Sequence, residues 1–188
     1  MRWRLRWQLR LVVAAFVAFA SSLPAQAQAP VQKILCLHGG GMNGPEFRRN
    51  PGIAAIMAEL PGYEYVFPTA PYGSGGGNIW IRDPPGGKGS ATTDPGFADD
   101  ALALLDDIVA SEGPFYGILG YSQGSAFVPI YIAHAPLGTF KVAFMFCGYL
   151  TTTHLGLLDT VNAASPFGGI PALVWMVRQA SSRAAAPS

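Results

Sequence analysis

Five consecutive residues, Gly120-Tyr121-Ser122-Gln123-Gly124, match the pattern G-x-S-x-G. Gly and Ser are common, so the pentapeptide is weak alone and its setting decides. An apolar run, Phe115–Leu119, precedes it, and a helical segment, Gln123–His134, follows. A sharp strand-to-helix turn at this point lifts the Ser122 hydroxyl above a sheet edge, where it can act as a nucleophile toward a carbonyl carbon. Gly120 and Gly124 are expected as supports of the turn, at positions where a side chain would collide with it. The helix start then aims backbone N–H groups and the helix dipole at negative charge developing beside Ser122. The competing reading is a structural Gly-rich turn with an ordinary serine.

A second stretch, His38-Gly39-Gly40-Gly41, follows the apolar run Val31–Leu37. Loops of this type supply a second donor to an oxyanion hole, which needs two backbone N–H groups. Gly40 and Gln123 are the expected donors. Glycine at Gly40 and Gly41 is expected to let the backbone approach the substrate, Gly39 and Gly41 to support the turn, and His38 to hold the loop by hydrogen bonds. A plain glycine turn is the alternative.

The elements that must position these residues follow from periodicity. Short apolar runs read as buried strands at Val31–Leu37, Tyr63–Phe67, Phe115–Tyr121, Lys141–Cys147 and Pro171–Val177. Helical spacing appears over Pro45–Leu60, Gly96–Ser111 and Gln123–His134, the last containing an awkward Pro129. Pro68–Pro95 is Gly/Pro-rich and reads as an irregular excursion, and the residues after Cys147 as a polar loop. Continuous apolar strands separated by helices predict an α/β fold: one mostly parallel sheet with helices on both faces. The chain is 188 residues long and 12% charged, against about 25% in an average soluble protein, with half its residues apolar. Those values exclude a disordered chain, and a net charge of +1 without a basic block excludes a basic nucleic-acid binder.

Other candidates are weaker. Gly73-Ser74-Gly75-Gly76-Gly77 does not open a helix after a strand, so it is no dinucleotide loop. Gly86-Gly87-Lys88-Gly89-Ser90 lacks a Gly at Arg82 and a Ser/Thr directly after Lys88, so it is no P-loop. The spacing of the three histidines offers no metal site. Trp80 either lines a cleft or anchors a loop. Cys36 and Cys147 read as two buried free thiols.

The stretches LCLHGGGMNG, YVFPTAPYG, GILGYSQGSAF and KVAFMFCGY, in that order over roughly residues 31–174, resemble the small serine hydrolases of the FSH family. The resemblance implies an α/β-hydrolase fold and Ser122 attacking a carboxylic ester or thioester, with a histidine taking its proton and an acid orienting the histidine. It implies no cofactor and no metal, and a small-molecule ester or thioester as partner; oligomeric state stays open. In the family the acid follows the strand placed here at Pro171–Val177, and the histidine follows one more strand. This chain has no acid after Asp159 and no histidine after His154. The expectation is therefore a hydrolase domain over 31–174 with its last strand and helix missing, and a low-complexity tail over 175–188, as from a frameshift or altered splice. His154 and Asp159, in the loop after the fourth strand, are the only surrogate base and acid; two surface-loop residues is the rival reading. His134 reads as a residue favoured by the dipole at its helix end. An impaired, ligand-binding product and an unstable fragment are the rival expectations for the whole chain.

Residues 1–27 read as a secretory signal peptide: Arg2, Arg4, Arg6 and Arg10, then the apolar run Leu11–Ala20, then a small-residue site ending at Ala27. The run is too short for a stable membrane span. An uncleaved anchor and an organelle transit peptide are the alternatives. Cleavage removes four Arg and leaves 8 basic and 11 acidic residues, a net charge of −3.

Overall fold

A computed structural model describes residues 31–74 and 77–176 of the chain. The reading of residues 1–27 as a signal peptide, and residues 177–188 of the tail expected over 175–188, lie outside the described residues.

Five strands form one parallel sheet: β1 (Gln32–Leu37), β2 (Tyr63–Val66), β5 (Phe115–Tyr121), β6 (Val142–Phe146) and β7 (Ala172–Trp175), in the order β2-β1-β5-β6-β7. The central strands are buried on both faces, which is why they read as continuous apolar runs. Their side chains alternate between two cores. Ile34, Cys36 and Leu119 pack on one side with Phe47 of α1 (Gly44–Arg48) and Ile53 of α2 (Pro51–Glu59). Leu35, Leu37 and Ile118 pack on the other. There they meet Leu105 of α3 (Asp99–Glu112), Phe127 and Tyr131 of α4 (Gln123–His134), and Leu157 of α5 (Leu155–Ala164). Helices thus cover both faces of a mostly parallel sheet, as expected from the alternating runs.

Several expected elements differ in detail. The single helix over Pro45–Leu60 is two helices. Asn50 is extended (φ −58°, ψ 130°) and its side chain accepts a bond from the Gly52 N–H, because a residue before proline is pushed out of the helical region. Upstream, Asn43 and Glu46 form a reciprocal capping box that starts α1. The excursion after β2 is not wholly irregular: β3 (Tyr72–Ser74) and β4 (Gly77–Ile79) form a small antiparallel hairpin. The polar loop after β6 contains α5, whose Leu157 is buried and whose Val161 packs on the core. Three threonines and His154 ahead of a short one-sided apolar stripe conceal it. Trp175, expected as the first residue of the tail, instead pairs with Phe146 as the last residue of β7. Cys36 is buried but Cys147 only half-buried, and both thiols are free. Helix α4 runs through Pro129. No helix among the described residues is long and apolar enough to cross a membrane.

Candidate active site

Strand β5 hands over to α4 in a single residue. Ser122 sits between them at φ 53°, ψ −116°, a conformation that side-chain-bearing residues rarely adopt. Such a position costs about 1–3 kcal/mol and persists only where the surroundings enforce it. Two contacts do so. The Ser122 N–H donates to the Phe146 carbonyl at 2.9 Å, tying the turn to β6. The flanking glycines close the turn: a Cβ on Gly120 would stand 2.5 Å from the Gly124 oxygen, and one on Gly124 would overlap the backbone of Leu37 and His38. The elbow is therefore pressed onto the end of β1, where the His38–Gly41 loop starts. The Ser122 side chain makes no capping bond to α4, which leaves its hydroxyl uncommitted to the helix.

The glycine loop lies against the elbow. A Cβ on Gly39 would be 3.1 Å from the Tyr121 ring and 3.3 Å from Ser122 Cβ. Gly40, Ser122 and Gln123 line one cavity of about 390 Å³. The Gly41 N–H is spent on the Asn78 carbonyl at 2.9 Å, whereas the N–H groups of Gly40 and Gln123 have no backbone acceptor among the described residues. Ser122 and two residues whose backbone N–H groups have no backbone acceptor among the described residues thus line one space.

The three histidines are placed differently. His38 is fully buried, with Nδ1 donating to the Gly39 carbonyl at 2.8 Å and Nε2 accepting from the Ala70 N–H at 2.9 Å. Those two bonds fix one neutral tautomer, and burial holds its pKa below the usual histidine value. His38 therefore carries the loop and has no free nitrogen. His134, at the far end of α4, pairs with Asp106 at 2.8 Å, and Tyr131 donates to the same carboxylate at 3.2 Å. His154 is buried rather than a surface-loop residue. Its Nε2 donates to the Arg82 carbonyl at 2.9 Å, and Nδ1 lies 3.3 Å from the Thr153 hydroxyl. Asp159 is exposed on α5, not in a loop. Among the described residues no hydrogen bond joins His154 to Asp159, and none joins any imidazole to Ser122.

Residues that sequence reasoning did not place at the site complete the cleft. Asp83 and Lys88 enter from the excursion and Tyr149 from beyond β6. All three, with Gln123, also border an adjoining chamber of about 300 Å³ that extends to Thr151–His154. Lys88 belongs to the glycine-rich stretch rejected as a P-loop, which instead forms cleft wall. Nothing in its spacing signals that role; only the folding-over of the excursion does. Trp80 anchors the loop: it is fully buried, stacks on Phe127 at 5.7 Å and donates its indole N–H to the His38 carbonyl at 2.8 Å.

The family described as Serine hydrolase (FSH1) matches residues 28–156, which include both the His38–Gly41 loop and the elbow. The chain belongs to this family. The FSH1 match agrees with two relatives. Esterase CG5412 of Drosophila melanogaster is 31% identical over 133 residues, 62% of this chain and 47% of its own length. Esterase FPY3 of Fusarium mangiferae is 33% identical over 134 residues, 63% of this chain and 57% of its own. The chain thus spans about half the length of these relatives. Among solved structures, esterase PE8 superimposes with a TM-score of 0.54 at 20% identity, covering 82% of this chain and 86% of that one. A carboxylesterase from Mesorhizobium loti gives 0.55 at 12% identity, covering 80% and 81%. These likenesses establish the α/β-hydrolase fold.

Proposed function

We propose that this FSH1-family chain acts on small carboxylic esters or thioesters, with Ser122 as the nucleophile and the Gly40 and Gln123 N–H groups as the oxyanion hole. The observation that carries the reading is Ser122 held at φ 53° on the strand-to-helix turn, lining one cavity with Gly40 and Gln123, whose N–H groups have no backbone acceptor among the described residues. Attack by Ser122 Oγ on the ester carbonyl forms a tetrahedral centre. Its oxygen carries charge that two N–H groups and the α4 N-terminus stabilise without reorganisation. Collapse expels the alcohol or thiol, which carries away the proton that Ser122 gives up, and leaves an acyl-serine. Water then hydrolyses it to the free acid and restores the Ser122 hydroxyl. Names of relatives as esterases support the ester-hydrolase class. His38 is not the proton acceptor in this reading, because both its nitrogens are engaged and buried. Residues 1–27 are proposed to direct the chain to the secretory pathway.

A fluorophosphonate probe tests the assignment. Stoichiometric labelling that mass spectrometry maps to Ser122, and that Ser122→Ala abolishes, is the expected result. A cooperatively melting wild type that takes up no probe at Ser122 refutes it. Labelling without turnover of a p-nitrophenyl ester favours the ligand-binding, impaired product over a working hydrolase.

A further inference from the structure

The side chain of Gln123 has an engagement that the oxyanion assignment, which uses only its backbone, leaves unexplained. Its Oε1 accepts the Trp80 backbone N–H at 2.8 Å, and its Nε2 donates to the Ile81 carbonyl at 3.4 Å. Trp80 in turn donates its indole N–H to the His38 carbonyl at 2.8 Å and stands 5.0 Å from the His38 ring. Two residues beyond His38, a Cβ on Gly40 would lie 3.4 Å from Gln123 Oε1 and 3.6 Å from Gln123 Cβ. The bonds thus run from the Gln123 side chain through the Trp80 backbone and indole to the His38 carbonyl, and the same Gln123 side chain borders the space a side chain at Gly40 would need.

We propose that the Gln123 side chain and Trp80 form a bracket that fixes the Gly40 loop against the elbow and so sets the spacing of the two oxyanion donors. The inference rests on the hydrolase reading above and adds a positioning residue to it. The physical need is plain. Gly40 belongs to a run of three glycines, whose backbone freedom is the largest of any residue type. An oxyanion hole works only when its donors are already aimed, and a displacement of about 1 Å can cost on the order of 10²-fold in rate. The His38 side chain fixes the loop's beginning through Ala70. The Gln123–Trp80 bracket holds the loop at the His38 carbonyl, two residues before Gly40, and the buried indole, flanked by Phe127, is the rigid member.

Two readouts test this on the full chain. Gln123→Leu keeps the backbone N–H but loses both side-chain bonds. Amide exchange at Trp80 should accelerate at least about tenfold, since that N–H loses its acceptor. The maximal rate of fluorophosphonate inactivation should fall about ten- to a hundredfold while the probe's half-saturation concentration moves less than about threefold. Gln123→Glu retains an acceptor oxygen and should restore Trp80 protection. If Gln123→Leu does not melt cooperatively, Trp80→Phe, which keeps a ring but loses the indole N–H, should show the same fall in inactivation rate. A folded Gln123→Leu that inactivates within twofold of wild type, or leaves Trp80 exchange unchanged, overturns the bracket. An unlabelled wild type refutes the hydrolase reading instead; the bracket then stands or falls on Trp80 exchange alone.

Discussion

Replacing Ser122 by glycine should make the protein more stable and abolish its labelling. Ser122 holds φ 53°, ψ −116°, and its hydroxyl caps nothing in α4. The native state therefore carries about 1–3 kcal/mol of backbone strain that a Cβ causes and that its absence relieves. Glycine gives back part of this, because its unfolded chain is freer by about 0.5–1 kcal/mol. The net gain is about 1 kcal/mol, which for a chain of this size raises the melting temperature by about 2–4 °C. Ser122→Ala is the control: it removes the same hydroxyl but keeps the Cβ, so it should melt close to wild type. Thermal and urea denaturation of the three proteins side by side measure the difference. Ser122→Gly melting at or below Ser122→Ala would refute the claim that strain at this residue is what the elbow stores.

Four further outcomes follow from particular contacts. Gly124→Ala drives a methyl group into the Leu37 and His38 backbone, which cannot yield as a side chain would, so thermal denaturation should show a loss of at least about 1–3 kcal/mol. His38 is buried neutral with its pKa held below 6.5, so the unfolded chain binds the extra proton first as pH falls. Stability should drop below about pH 6.5 by up to about 1.4 kcal/mol per pH unit until the native pKa is reached, and His38→Gln should flatten that slope in a melting series against pH. Tyr131→Phe loses the 3.2 Å bond to Asp106 and should cost about 0.5–1.5 kcal/mol in urea titration without changing Ser122 labelling. Val174 is 55% exposed on β7, an edge of the sheet among the described residues, so Val174→Lys should lower self-association in light scattering with little change in melting temperature.

The two motifs were legible because their chemistry leaves a local imprint. Gly120, Ser122 and Gly124 must follow one another where a strand becomes a helix, and a run of buried β-residues followed by helical spacing is visible without coordinates. The doubly buried β1 and β5 were legible for the same reason, as unbroken apolar runs. The break between α1 and α2 is written in Asn50-Pro51, but the apolar spacing runs across it and masks it. Helix α5 was hidden because only Leu157 and Val161 of a short segment face the core, too few for a period to stand out.

What the sequence determined by itself is therefore the order of the five sheet strands, the family, and the residues that mark the turn at Ser122. These depend on neighbours within a few positions along the chain. What only the tertiary structure decided is the company those residues keep. Lys88 and Asp83 reach the cleft from the excursion, 34 and 39 residues before Ser122 by their numbers. His154 is bonded to the Arg82 carbonyl, 72 residues away, and Gln123 finds Trp80 43 residues away. Such contacts are fixed by where the sheet's parallel crossovers set each loop down, and no spacing along the chain encodes a meeting between two loops that share only a sheet edge.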